Sequence, residues 1–261
     1  MVDFTFKRKA FRIRECAFCG INEIGNSKAD VVYLHSTDSG EKDVSKSIIL
    51  QKQYTLLTDL KYSEEELLAN IKKNCKYEIR RSEREEAQVH FFEKKQLCEN
   101  SEIIKRFETA YNQMFGEKGL SGYRFNRKLV EKAIESNSIL ISSCTNINGD
   151  NEVFHAYLHD NDSCVLMYSA SPLWGKNNKD KANEIGRMNK YLHWKDIQYF
   201  KNNGFSRYEW GGITDPDKPN GIDKFKMEFG GRVIQCNNYI IPISLFGRVY
   251  TYLVRRRSSE K

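Results

Sequence analysis

The stretch Gly186–Ile234 constrains the fold more than any other part of the chain, because it sets out an ordered series of elements joined by glycines. Met188, Tyr191, Leu192, Ile197, Tyr199 and Phe200 recur near helical spacing, with the stem of Lys195 beside them, so the segment reads as a long amphipathic helix. Gly204 falls where a helix C-cap needs left-handed dihedrals. Phe205–Trp210 is short and aromatic-rich and reads as a strand. Gly211-Gly212 follows at once, so the backbone there either turns sharply or lets another group approach closely. After a loop rich in Asp and Pro come Ile222-Asp223-Lys224-Phe225-Lys226 and Phe229-Gly230-Gly231.

Upstream, Phe4–Phe6, Val31–His35 and Ser47–Leu57 are strand candidates. Ser63 with Glu66 three residues later makes a capping box, and Leu67, Leu68, Ile71 and Cys75 mark the apolar face of a helix expected to continue to Arg84. Val89–Phe92 reads as the next strand. Two helical stripes follow, Ile103, Ile104, Phe107, Ala110, Tyr111 and Met114, then Leu129, Val130, Ala133 and Ile134, with a glycine-bearing loop from Gly116 to Tyr123 between them. The period then changes. Ser138–Asn146, Glu152–Asp160 and Ser163–Ser171, separated by Asn148-Gly149-Asp150 and Asn161-Asp162, predict an antiparallel meander. The expected class is mixed α/β, with a boundary near Arg84–Val89 that separates an N-terminal subdomain (1–86) from a core (87–261).

A chain of 261 residues with 39% hydrophobic and 12% aromatic residues buries a sizeable core. No run approaches the ~18 apolar residues of a membrane span, and the first residues lack the apolar centre of a signal peptide. The expectation is a cytoplasmic protein, not embedded in a membrane. Seven scattered cysteines cannot all pair, which points to reduced thiols. Cys16 and Cys19 form a lone CxxC without a second pair or a spaced histidine pair, so they read as incidental thiols rather than a zinc or redox site. The net charge of +7 favours anionic partners, and Arg255-Arg256-Arg257 reads as a solvated tail.

The residues Trp194, Ile197, Gly204, Tyr208, Glu209, Gly211, Gly212, Gly221, Ile222, Phe225, Lys226, Phe229, Gly230 and Gly231, in that order, resemble the C-terminal half of the Fem-type transferases. These are the peptidoglycan bridge-forming enzymes and their relatives with a GNAT-like acyltransferase fold. A second, weaker match is a strand ending in Asp59-Leu60, a helix, then Lys76, Tyr77, Ile79, Arg80, Ser82 and Arg84 ahead of the strand Val89–Phe92. The likeness covers roughly Tyr54–Ile241. The chain is much shorter than the bridge-forming enzymes, with at most a remnant of their second domain and no heptad-rich arm.

The resemblance implies a GNAT-like mixed sheet flanked by helices, and transfer of an acyl or aminoacyl group from acyl-CoA or aminoacyl-tRNA to an amine. The acceptor it implies is a small-molecule, nucleotide-linked or lipid-linked saccharide or peptide of the cell envelope, such as an amino sugar. Such chemistry needs positioning, proton removal and oxyanion stabilisation, and no protein nucleophile or metal. In the family the lysine at Lys226 lies at the donor–acceptor cleft; the alternative is an ordinary exposed helix lysine, as Lys224 is expected to be. Glu209 is either the base for the amine or a hydrogen-bond partner of the following loop. Trp210, Gly211 and Gly212 are expected to border the cleft, and Tyr168, at a meander strand end, to protonate the leaving group.

His155 and His159 share a strand face but stand roughly 13 Å apart, too far for a shared metal; His155 is a base or a structural group. His193 is expected to pack. Coenzyme A users carry several glycines before a helix at the position of Arg187, and here Gly186 stands alone, so no pyrophosphate cradle is visible and aminoacyl-tRNA stays open as donor. Arg80 and Arg81 either contact phosphate or belong to a salt-bridged helix face. The rival from another class is a non-catalytic RNA- or nucleotide-binding module, resting on the basic charge and on Trp174, Tyr191 and Trp210 as exposed aromatics. The interleaving of Lys and Arg with acids opposes it, and no DNA partner is expected.

Overall fold

The computed structural model describes residues 1–36, 47–119, 124–172 and 178–259; the end of the 116–123 loop and Trp174 lie outside them. The strands are β1 (Val2–Arg8), β2 (Phe11–Ala17), β3 (Val31–Ser36), β4 (Ile49–Asp59), β5 (Gln88–Phe92), β6 (Ile139–Thr145), β7 (Val153–His159), β8 (Ser163–Ala170), β9 (Arg207–Ile213) and β10 (Arg232–Pro242). The helices are α1 (Glu64–Asn70), α2 (Lys73–Arg84), α3 (Lys94–Glu99), α4 (Ser101–Glu117), α5 (Arg127–Glu135), α6 (Lys179–Asn202), α7 (Gly221–Met227) and α8 (Leu245–Ser259). All ten strands join one mixed sheet in the order β1-β2-β3-β10-β4-β9-β8-β7-β6-β5. The mixed α/β class expected from the sequence, with helices flanking one mixed sheet, is the class observed. The sheet runs on across residues 86 and 87, since β4 lies between β10 and β9.

Strand alternation gives the sheet two buried faces. On one, Leu67, Cys75 and Ile79 of α1 and α2 and Ile185, Leu192, Ile197 and Phe200 of α6 cover Tyr157, Tyr208 and Trp210. On the other, Ile103, Phe107, Val130 and Ile134 of α4 and α5 cover Phe154, Ala156 and Val165, and Val2, Phe4, Phe6 and Ile13 join the same cluster. The first strands therefore curl over the sheet to share the core of α4 and α5. Cys16 and Cys19 are buried in a third, smaller cluster with Val32, Leu34 and Tyr239.

Local signals hold at several junctions. The capping box is formed, with Ser63 Oγ accepting from the Glu66 N–H at 3.2 Å and the Ser63 N–H donating to the Glu66 carboxylate at 2.7 Å. Gly204 caps α6 with φ +83°. The helix expected to reach Arg84 breaks instead: Ile71 is extended (φ −70°, ψ 137°) and α2 starts at Lys73. Tertiary contacts cause the break. The Lys72 N–H donates to the Glu228 carbonyl at 2.8 Å, and Gly230 lies so close that a Cβ there would stand 3.0 Å from Asn70. Lys190 of α6 also bridges Glu78 of α2 and Glu228 beside α7.

At Gly211-Gly212 the strand β9 continues rather than turning, and close approach is the reason for the glycine: Gly211 has φ +70° and a Cβ would sit 2.9 Å from the Leu166 carbonyl. The arginines 255 and 256 are not a tail but belong to α8, whose Gly247 lies against the Asp30 carbonyl, where a Cβ would come within 1.9 Å. β2, α3 and α8 have no counterpart in the sequence reading.

Gly231 has φ +92°, and a Cβ would stand 2.7 Å from the Leu57 carbonyl of β4, whereas Gly212 has open space around it. Gly231→Ala is expected to cost about 2 kcal/mol or more and Gly212→Ala less than about 1 kcal/mol, read as shifts in urea unfolding midpoints.

Candidate active site

β8 and β9 run parallel through the α6 crossover and pair at only three positions, Ser163–Arg207, Cys164–Tyr208 and Val165–Glu209, although β8 continues to Ala170 and β9 to Ile213. They part where β9 bulges: its pairing with β4 shifts register between Thr55 and Leu57, and Thr55 Oγ1 donates to the Gly211 carbonyl at 2.9 Å. A cavity of about 340 Å³ opens at the parting. Leu166, Met167 and Tyr168 line one side, Gly211 and Gly212 the other, and the curled-over first strands close it with Glu15, Tyr33 and His35, beside Gln53 of β4 and Asn238 of β10.

At the edge of this cavity Glu209, 2% exposed, meets His35 with Oε1 at 2.6 Å from Nε2. Asn238 donates its amide to Gln53 at 2.8 Å, so its Oδ1 accepts from His35 Nδ1 at 2.6 Å. Both ring nitrogens thus face acceptors. Burial pulls the His35 pKa down, but the charge and hydrogen bond of Glu209, with the bond to Asn238, outweigh it and leave the pKa raised to about 8. Glu15 also faces the cavity, and burial pushes its carboxyl up to about 7 against the opposing charges of His35 and Arg8.

Lys226 of α7 is tied to the end of β9. Asn220 caps α7 by accepting from the Ile222 and Asp223 N–H groups, and Asp223 accepts in turn from the Asn220 and Thr214 N–H groups, which ties the helix start to the end of β9. Lys226 Nζ then donates to the Gly212 carbonyl at 2.7 Å. Burial lowers its pKa to about 8, with Asp223 and Glu209 pulling the other way. Lys224 is exposed.

Tyr168 lines the cavity with its ring against Tyr111 and Phe125, its hydroxyl accepts from the Asn126 N–H at 3.4 Å, and burial raises its pKa. The remaining sequence candidates lie elsewhere. Trp210 does not border the cavity: alternation along β9 turns it to the face opposite Glu209, fully buried, with its indole N–H donating to Thr58 Oγ1 at 3.0 Å. His155 is buried on that same far face, its Nδ1 2.7 Å from Asp196 Oδ2 and its Nε2 2.8 Å from Asn189 Oδ1. Arg187 and Arg81 share Glu85 on the surface of the α2–α6 pair, with Arg80 exposed nearby. Tyr191 is also buried, so the two described aromatics of the RNA-binding reading are not available for stacking.

Among the described residues two groups bring possible metal ligands within 4.8 Å, His155–His193–Asp196 and His35–Glu209–Cys236. In the first, the His155 and His193 rings stack at 3.9 Å and the His155–Asp196 contact is a hydrogen bond. In the second, both His35 nitrogens are hydrogen-bonded, to Glu209 and to Asn238. Sequence reasoning missed His35, Glu15, Gln53 and Asn238. They are single polar residues on separate strands, and only their inward alternation marks them.

No protein-family model matches the sequence, and a search of curated proteins finds no match. Solved structures do share the fold. FemX aligns over 80% of this chain and 72% of its own with 11% identity and a TM-score of 0.53. The C-terminal domain of a putative lysylphosphatidylglycerol synthetase from Agrobacterium fabrum aligns over 95% of this chain and 82% of its own, with 9% identity and a TM-score of 0.54. The fold likeness to a Fem protein inferred from sequence motifs is thus present in three dimensions.

Because folding raises the His35 pKa above its ordinary 6.5, the pair with Glu209 contributes stability that is complete below pH 6.5 and is lost as pH rises through about 8. The stability gap between the unmodified chain and Glu209→Gln should be about 2 kcal/mol below that window and shrink above it, measured by thermal or urea unfolding across pH.

Proposed function

We propose that the chain is an N-acyltransferase that forms an amide by moving an acyl or aminoacyl group from an activated ester or thioester to an amino group. The observation that carries the reading is the cavity at the parting of β8 and β9, with an acid–imidazole pair at one edge and a lysine bonded to the Gly212 carbonyl in its wall. Fold likeness to FemX and to a lysylphosphatidylglycerol synthetase domain supports it.

In this reading the donor carbonyl lies between Gly212 and His35. The Glu15 carboxylate draws in the acceptor as an ammonium ion, and the neutral form of His35, its Nε2–H kept on Glu209 and its Nδ1 exchanging the Asn238 oxygen for the amine, takes the proton that frees the nitrogen lone pair. The new C–N bond forms as the donor C–O or C–S bond breaks. The Lys226 ammonium has donors to spare beyond its bond to Gly212 and meets the charge developing on the carbonyl oxygen. Tyr168 returns a proton to the leaving alcohol or thiol. Both acyl-CoA and aminoacyl-tRNA meet the chemical requirement for a donor. The acceptor we favour is an amino sugar or peptide amine on a cell-envelope or polysaccharide precursor.

The test is incubation with acetyl-CoA or charged tRNA and a panel of amines, with products read by mass spectrometry. Lys226→Ala is expected to lower kcat by about 100-fold, with Lys224→Ala at the unmodified rate. Absence of transfer from either donor, or turnover indifferent to Lys226→Ala, overturns the reading. The rate should climb with pH up to about 8 as His35 loses its proton and fall beyond it as Lys226 loses its own; Glu209→Gln should move the rising limb to lower pH.

A further inference from the structure

The cavity at the parting of β8 and β9 is graded from mouth to floor. Gln51, Gln53 and Gly212 are exposed, His35 and Asn238 are half-buried, and Ala17, Leu129, Leu158 and Val165 are buried although they too line it. Sheet register fixes where this apolar floor lies relative to the acid–imidazole pair. Val165 is the pairing partner of Glu209 and Leu158 the partner of Val165, so two branched apolar side chains stand next to Glu209 across the sheet. Ala17 is the pairing partner of His35, and Leu129 comes from α5. The three carboxamides belong to β4 and β10, whereas the floor belongs to β2, β7, β8 and α5. The two chemistries therefore occupy different parts of one cavity.

The geometry points to an unsubstituted aliphatic acyl group of about four to six carbons as the group transferred, carried as a thioester and seated on Ala17, Leu129, Leu158 and Val165. The inference rests on the acyl-transfer reading and deepens it by choosing among donors. Size sets the length. An apolar cavity of about 150 Å³ holds a six-carbon ring, and the whole cavity measures about 340 Å³. That leaves room for an acceptor amine beside such a chain, but not for a nucleotide or polynucleotide carrier. The carrier stays outside the mouth, and the carbonyl between Gly212 and His35 directs its substituent inward. Each methylene moved from water onto the floor then stabilises the bound donor, which an acetyl group cannot exploit. Charge excludes an aminoacyl group. Apart from Glu209, which holds His35, Glu15 is the one carboxylate lining the cavity among the described residues. The acceptor ammonium occupies it, so an α-ammonium on the donor would be buried on an apolar floor without a counter-charge. In the transfer the thioester C–S bond breaks as the amide C–N bond forms. The acceptor ammonium gives up two protons, one to His35 and one that leaves on the thiol.

The experiment offers the full chain the acetyl, butyryl, hexanoyl, decanoyl and glycyl thioesters of N-acetylcysteamine, with glucosamine as the amine. Amide is followed by mass spectrometry and donor binding by titration calorimetry. Expected is a rise in kcat/KM of about fourfold per added methylene up to hexanoyl, a fall at decanoyl, and tighter binding along the same series. Leu129→Phe, which fills the floor, should lower hexanoyl transfer about tenfold more than acetyl transfer. Leu158→Ala should move the optimum to longer chains. A changed ratio between two donors is a readout that general loss of folding does not produce. Acetyl or glycyl transferred as well as hexanoyl overturns the inference and leaves the acyl-transfer reading standing, as does a hexanoyl preference that both variants leave unchanged. If no thioester is turned over, calorimetry alone decides: hexanoyl bound about tenfold tighter than acetyl, and weakened by Leu129→Phe, supports the inference, and equal binding overturns it. The acyl-transfer reading is judged separately, by acetyl-CoA and charged tRNA.

Discussion

Strand β9 is bonded along one side to β4, but on its other side it holds β8 for only three residue pairs before Gly211 carries it away at φ +70°. In a continuous sheet every main-chain group in the middle is consumed by the neighbouring strand, and no ligand can enter. Here the left-handed glycine, pressed against the Leu166 carbonyl, ends that pairing in the centre of a ten-stranded sheet without exposing an edge strand. The cavity, the placement of Glu209 just before the parting and the anchoring of Lys226 on the Gly212 carbonyl all follow from this one geometry.

The parting requires a stiff support, and the far face of the sheet supplies one. Asp196 of α6 is fully buried, with one carboxylate oxygen receiving the Tyr157 hydroxyl at 2.6 Å beside His155 at 2.7 Å, while Tyr157 contacts Tyr208 of β9 at 2.7 Å. A buried carboxylate is costly unless it keeps its partners, so the network holds α6, β7 and β9 in one register. Burial and the charges of His155 and Lys226 push the neighbouring His193 well below its ordinary pKa, which keeps it neutral. Among the described residues Asp196 Oδ1 has no hydrogen-bond partner. The polar chemistry of the chain is thus divided by the sheet: a closed structural network on one side, an accessible acid–imidazole pair on the other.

Much of the architecture was legible in the residues. The capping box at Ser63, the meander turns, the long helix before Gly204 and the strand leading into Gly211-Gly212 are set by neighbours a few residues apart, and each appeared where local chemistry placed it. The Fem-like ordering of glycines and of Phe225-Lys226 pointed to the fold now seen. Strand alternation separated Glu209 from Trp210, a distinction that treating the segment as one motif had blurred. Illegible were the features made by contacts across the chain: the break after Asn70, imposed by Glu228 and Gly230, and the outward apolar face of α8, whose periodicity says that a face exists but not which way it points.

The sequence by itself therefore determined the order and type of most elements and the glycines that only a left-handed or close-packed backbone requires. Only the tertiary structure decided that His35 meets Glu209, because those residues lie 174 positions apart and are joined by the curl of the first strands over the sheet. Helix and turn signals are encoded within a few residues by hydrogen bonds and sterics. A curl that packs Val2, Phe4 and Phe6 against the core of α4 and α5 is a balance of buried area over the whole chain, and no local pattern records it.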